Sequence, residues 1–180
     1  MFLDELLSEH AELLGKMKEF RIAAEELMNG NFVAAQRMLN YISEEVIGKH
    51  FTLEEQGLFP VFEPVLARHL PREEPLRMLR LEHLAVQRKE EEVRERVAKA
   101  EPQEASKAAL QLLDMLQQHV FREENGVFPM ARRYLDESQK MEVQKKIQEL
   151  LRSMDPVFQP RSAPLRTTPS SSSAESPDHE

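Results

Sequence analysis

The sequence predicts an all-α protein, an up-down-up-down four-helix bundle with a fifth C-terminal helix and a disordered tail. Three observations carry that prediction. The 180 residues hold only five Gly, no Trp and no Cys, and Glu, Lys and Arg dominate a 31% charged fraction, the composition of a helical bundle. Large apolar residues recur at intervals of three and four in successive runs along the chain. One stretch, His50 to Pro60, returns as His119 to Pro129 with six of eleven positions identical, so the chain reads as a duplicated helical hairpin.

From Phe2 to Met28, the residues Leu3, Leu6, Leu7, Leu13, Leu14, Met17, Phe20, Ala24 and Leu27 mark a first helix, stopped by Asn29-Gly30, with His10 on its apolar line. Asn31 is the expected cap of a second helix, in which Ala35, Leu39, Ile42, Val46, His50, Leu53 and Glu54 share a face. Pro lacks an N–H and clashes with the preceding turn, so Pro60 and Pro64 are expected to interrupt this helix. An irregular turn or loop should then run to Pro71, with His69 solvated, and the metal-type residues should sit near the helix ends.

Glu73, Glu74 and Pro75 suit the first turn of a third helix, which turns Leu76, Leu79, His83, Val86, Val93 and Val97 inward before Pro102. Its charged run from Arg88 to Arg96 is expected to be solvated. A fourth helix, from about Glu104 to Asn125, lines up Ala108, Leu112, Met115, Leu116, His119 and Glu123. A fifth starts at a capping box formed by Asp136 and Gln139 and ends near Ser153, with Met141, Ile147, Leu150 and Leu151 expected to pack on the bundle. Residues 1–153 are expected to form one domain, and the Pro- and Ser-rich stretch 154–180 a disordered tail.

A formal net charge of −8 argues against nucleic acid and anionic membrane as partners, since both need clustered positive charge. Met1-Phe2-Leu3-Asp4-Glu5 has no basic start or long apolar run, and no run approaches transmembrane length, so the cytoplasm is the expected compartment. Zero Cys removes thiol chemistry and leaves any metal site to His and carboxylate.

His50 and Glu54, like His119 and Glu123, are four residues apart and therefore one turn apart on one helix face, where they can share a metal. A lone match of this kind is uninformative: with 27 Glu among 180 residues, six His give about one by chance. The repetition is the signal, and it extends upstream to Glu9-His10 and Glu82-His83. Any one of these residues alone reads best as a hydrogen-bonded core polar group. Four imidazoles and two carboxylates meeting inside one bundle are costly to bury unless they bind metal. The count suits two ions bridged by both carboxylates, each with two imidazoles. Mixed imidazole and carboxylate ligation suits iron, manganese or zinc, with iron preferred, over Mg or Ca. Glu9, Glu55, Glu82 and Glu124 adjoin the ligands and are candidates to orient the imidazoles.

These residues resemble the hemerythrin-like, or HHE cation-binding, domain over residues 1 to about 153. The resemblance implies that His10, His50, Glu54, His83, His119 and Glu123 hold a non-haem di-iron centre, with two Fe ions as cofactor and both Glu bridging. It also exposes departures from the oxygen carriers, which resemble this chain but place a fifth His where Gln87 stands, one turn after His83. Their fourth-helix His-x-x-x-x-Asp is here His119-x-x-x-Glu123. The expected function is a metal-binding protein that binds or senses iron, dioxygen or nitric oxide, with a small diatomic ligand or oxidant as partner. The alternative is a di-iron enzyme consuming peroxide or nitric oxide, or a relative of the iron–sulfur repair proteins.

Overall fold

The computed structural model describes residues 2–70 and 74–155, so Glu73 and the expected tail from residue 156 onward lie outside the described residues. Helix α1 spans Asp4–Glu26 and tightens into a 3₁₀ turn at Leu27–Asn29. Gly30 then takes a left-handed φ of 75°, which a glycine adopts without a Cβ penalty, and ends the helix. Helix α2 (Phe32–Tyr41) passes through wide π turns at Ile42–His50 and Leu53–Leu58 into α3 (Phe59–His69). Asn31 precedes α2 in extended conformation, but its side chain bonds Glu26 and makes no cap.

The interruption expected at Pro60 does not occur. Phe59 N–H bonds five residues back to Glu54 O, and Pro60 follows in the first turn of α3, where the ladder returns to four-residue bonds and a missing N–H costs least. Pro64 sits inside α3. The second copy repeats the device: α5 (Pro102–Arg122) runs through a π turn at Glu123–Val127 into α6 (Phe128–Tyr134), with Phe128 N–H bonded to Glu123 O. The His and Glu pairs therefore lie in mid-helix, where π turns often mark functional sites, and not near helix ends as the prolines suggested.

Helix α4 (Pro75–Ala98) starts with Pro75 in its first turn, and α7 (Glu137–Met154) starts with the expected capping box of Asp136 and Gln139. Among the described residues all regular structure is helical, and no helix is long and apolar enough to cross a membrane. Three placements differ from expectation. Leu14 and Met141 are exposed, since each falls off the buried line of its helix. Glu90, inside the charged run of α4, is buried on the same line as Val86 and Val93 and is held there by Arg94 one turn on.

Two apolar clusters fill the interior. One contains Leu13, Val46, Val86 and Leu116; the other contains Leu6, Leu53, Leu79 and Val127. Each fully buried side chain of this kind contributes roughly 1.5–3 kcal/mol. Helix α7 closes the second cluster through Val143 and Ile147. It can do so because Gly57 has no side chain: a Cβ there would come within 2.9 Å of Ile147 Cγ1. His10 lies between Leu6 and Leu13, His50 between Val46 and Leu53, and His83 between Leu79 and Val86, so a polar layer separates the two clusters.

Candidate metal centre

That layer brings together all six residues singled out in the sequence. His10, His50, Glu54, His83, His119 and Glu123 are each at most 4% exposed. They fall into two sets, His10, His50, Glu54, Glu123 and Glu54, His83, His119, Glu123, and within each set one ligand atom per residue lies within 4.8 Å of every other. Each set could hold a metal ion, and both Glu belong to both sets.

The imidazoles face this layer through Nε2. Nε2 of His10 is 3.1 Å from Nε2 of His50 and 3.1 Å from Glu123 Oε2. On the other side, His83 Nε2 is 3.2 Å from Glu54 Oε2 and His119 Nε2 is 3.3 Å from Glu123 Oε2.

Every Nδ1, in contrast, is committed to a carboxylate on another helix. Glu9 of α1 bonds His50 at 2.8 Å, and Glu55 bonds His83 of α4 at 2.7 Å. Glu82 of α4 bonds His119 of α5 at 3.0 Å, and Glu124 bonds His10 of α1 at 3.0 Å. The links run from each helix to the next and close on themselves. The four Glu flanking the ligands in sequence thus orient the imidazoles of neighbouring helices. A carboxylate accepting from Nδ1–H fixes the tautomer that leaves the Nε2 lone pair free for a metal.

The pattern of missing hydrogen bonds agrees. Both oxygens of Glu54, both of Glu123 and the Nε2 atoms of His83 and His119 are buried without a hydrogen-bond partner. Buried polar groups are otherwise nearly always satisfied, and two borderline-hard transition-metal ions would satisfy this set of nitrogens and oxygens together. The buried charges of this layer act strongly on one another. Burial alone would lower the pKa of His50, but the carboxylates of Glu54, Glu123 and Glu9 push it up to about 10. Burial opposes protonation of His83 too, and Glu54 and Glu55 outweigh it. Burial and the Glu123 charge raise Glu54, whereas His119, His10 and His50 overcome burial and hold Glu123 well below the usual carboxylate range.

Aromatic rings wall the layer. Phe51 stacks on His83 with centroids 3.8 Å apart and meets His119 edge-on, Phe59 lies parallel to His83, and Phe128 stacks on His10. Phe59 and Phe128 are buried in one cluster with Leu53 and Val127. Phe51 had no signal in the sequence, because its counterpart after His119 is Val120. Two cations were also missed: Lys49, 2.8 Å from Glu9, and Arg122, 2.7 Å from Glu82, each of which steadies a carboxylate that orients an imidazole. Gln87 is half-buried, at the edge of the inward line that His83, Val86 and Glu90 define on α4. His69 is exposed, as expected, and stacks on Tyr134.

A family model described as the hemerythrin HHE cation binding domain matches residues 1–131. Comparison with curated proteins and with solved structures gave no match.

Proposed function

Because the chain belongs to the hemerythrin HHE cation-binding family, for which metal-ion binding is implied, we propose that it is a dinuclear non-haem iron protein that binds or senses iron, dioxygen or nitric oxide. The observation that carries this reading is the sharing of Glu54 and Glu123 between two ligand sets whose remaining members are His10 with His50 and His83 with His119. A single ion would leave two imidazoles without a role. The four ligand-bearing helices are read as alternating up and down, since successive helices cross the two apolar clusters in opposite order.

Bound iron would supply a redox-active Lewis acid with an affinity for small diatomic molecules. The chain's own contribution is to hold four Nε2 atoms and two carboxylates in place, to fix the imidazole tautomers through the carboxylate ring, and to exclude water with Phe51, Phe59 and Phe128. Each set has two imidazoles and two shared carboxylates, so an ion there keeps room for an exogenous ligand. Gln87 does not supply a further imidazole, which favours exchange and sensing over reversible oxygen carriage.

Metal content together with the optical spectrum tests the reading. Two irons per chain and near-ultraviolet absorption of the ferric form are expected. Near-stoichiometric zinc, or one metal per chain, would refute the di-iron assignment. Rapid turnover of peroxide or nitric oxide by the purified protein would move the function from binding module to enzyme.

A further inference from the structure

The two halves of the centre are not walled alike. On the side of His83 and His119 the rings of Phe51 and Phe59 pack directly on the imidazoles. On the side of His10 and His50, Phe128 stacks on His10, but there is also a cavity of about 20 Å³, whose lining includes both imidazoles together with Leu13, Tyr41, Val46 and Lys49. That volume suits one water molecule. Glu12 and Glu45, both exposed, line the same cavity and carry it to the surface. Around it stand four carboxylates, Glu5, Glu9, Glu12 and Glu45, against two ammonium groups, Lys16 beside Glu12 and Lys49 between Glu5 and Glu9, so the mouth is net negative.

The internal repeat supplies a built-in comparison. Aligning His10 with His83 and His50 with His119 puts Ala85 at the place of Glu12, Leu110 at that of Tyr41, Met115 at that of Val46 and Gln118 at that of Lys49. Leu110 and Met115 pack against the apolar core. The duplicate keeps carboxylates at Glu82 and Asp114, the places of Glu9 and Glu45, but replaces Glu12, Tyr41, Val46 and Lys49, so the lining of the passage differs in the first half at these four positions.

We propose that metal ions enter and leave through this passage, so that the His10–His50 position exchanges first and the His83–His119 position is reached only after it, with Tyr41 and Val46 setting the rate. This rests on the dinuclear reading above. A net negative mouth concentrates cations, and a dehydrated divalent ion fits a space that holds one water. At the second position Phe51 covers His83 face to face.

The test is anaerobic loading of the full chain with ferrous iron, a count of bound iron, and then release to excess bipyridine followed by absorbance. Two phases of equal amplitude are expected. Tyr41→Ala should accelerate the first roughly fivefold or more, about what losing the hydrogen bond that the Tyr41 hydroxyl donates to Glu12 across the mouth gives. Val46→Met, which fills the cavity with the residue found in the duplicate, should slow it, while Leu110→Ala should leave it unchanged. Melting curves of each variant separate gating from general loosening, and the opposite signs at Tyr41 and Val46 cannot both come from destabilisation. With two irons bound, a single phase, or equal acceleration by Leu110→Ala and Tyr41→Ala, would overturn the passage. With one iron bound the dinuclear reading falls, and the passage is judged by whether that iron's release responds to Tyr41→Ala and Val46→Met. A chain that binds none overturns both.

Discussion

Replacing each carboxylate of the ring in turn by Ala measures what orientation of the imidazoles contributes to metal affinity. Glu9→Ala and Glu82→Ala remove acceptors whose side chains are 14% and 19% exposed, so water has poor access to the imidazole N–H left behind. A hydrogen bond to a charged group contributes about 1.5–3 kcal/mol, which corresponds to roughly 10- to 150-fold in affinity. These two variants should fall toward the upper half of that range. Glu82→Ala should be the more severe, because Arg122 loses its Glu82 partner beside His119, whereas Lys49, freed by Glu9→Ala, keeps Glu5. Glu55 and Glu124 are 42% and 37% exposed, so solvent screens their charge and replaces their bond; losses there should stay under about tenfold. Competition for ferrous iron against a chromophoric chelator gives the four affinities, and apo-protein melts control for folding. Equal losses at all four positions, or larger ones at Glu55 and Glu124 than at Glu9 and Glu82, would refute the reasoning.

Glu54→Ala and Glu123→Ala should each lose more than one iron per chain, because each carboxylate belongs to both ligand sets; a variant that keeps two irons on metal analysis would show that its Glu is not a bridge. In metal-free protein, His50 and His83 titrate above their unfolded values, so the stability they contribute is full below pH 6.5 and fades as pH rises, for His50 through about 10. Metal must displace those protons, so the gap in Tm between loaded and metal-free protein should widen from pH 6.5 to 9, and a gap that narrows would contradict this sign. Gly126→Ala should raise the Tm, by up to about 1 kcal/mol in stability, since a Cβ there meets nothing within 4 Å. Gly57→Ala should lower it by about 1 kcal/mol or more, because Ile147 must move; equal shifts would mean that α7 does not depend on the gap.

The six residues of the polar layer were legible because their pattern is written twice at helical spacing, and the apolar residues flanking each His at three and four positions showed which way it points. Helix continuity was not legible. Pro60, Pro64 and Pro129 are normally breakers, and only the five-residue hydrogen bonds from Phe59 to Glu54 and from Phe128 to Glu123 show how the chain passes Pro60 and Pro129. Glu90 was hidden for a related reason: in a run of charges a period of three or four has no apolar contrast, so its alignment with Val86 and Val93 carried no visible signal. The ring carboxylates were visible as neighbours of the ligands, but adjacency says nothing about which imidazole each one reaches. Glu9 follows this rule against intuition, passing over His10 beside it to hold His50. Successive helix residues point about 100° apart, so a carboxylate next to an inward His is aimed at the seam with the next helix, not at its own neighbour.

This geometry ties metal retention to the joining of the two hairpins. The first hairpin owns His10, His50 and Glu54, and the second owns His83, His119 and Glu123, yet each ligand set needs a carboxylate from the other. Two of the four orienting bonds also cross between hairpins, from Glu55 to His83 and from Glu124 to His10. Parting the halves would therefore remove a shared carboxylate from both ligand sets and free one imidazole on each side. Conversely, without metal, burial and the charge of Glu123 across the seam push the carboxyl of Glu54 up. Ions held in both sets would thus act as cross-links between two copies of one motif, and their binding energy would be folding energy of the assembled bundle. A duplicated hairpin with all ligands of an ion on one copy would bind metal without needing its partner; the exchange of Glu54 and Glu123 between the sets would instead make the bundle and a dinuclear centre one cooperative unit.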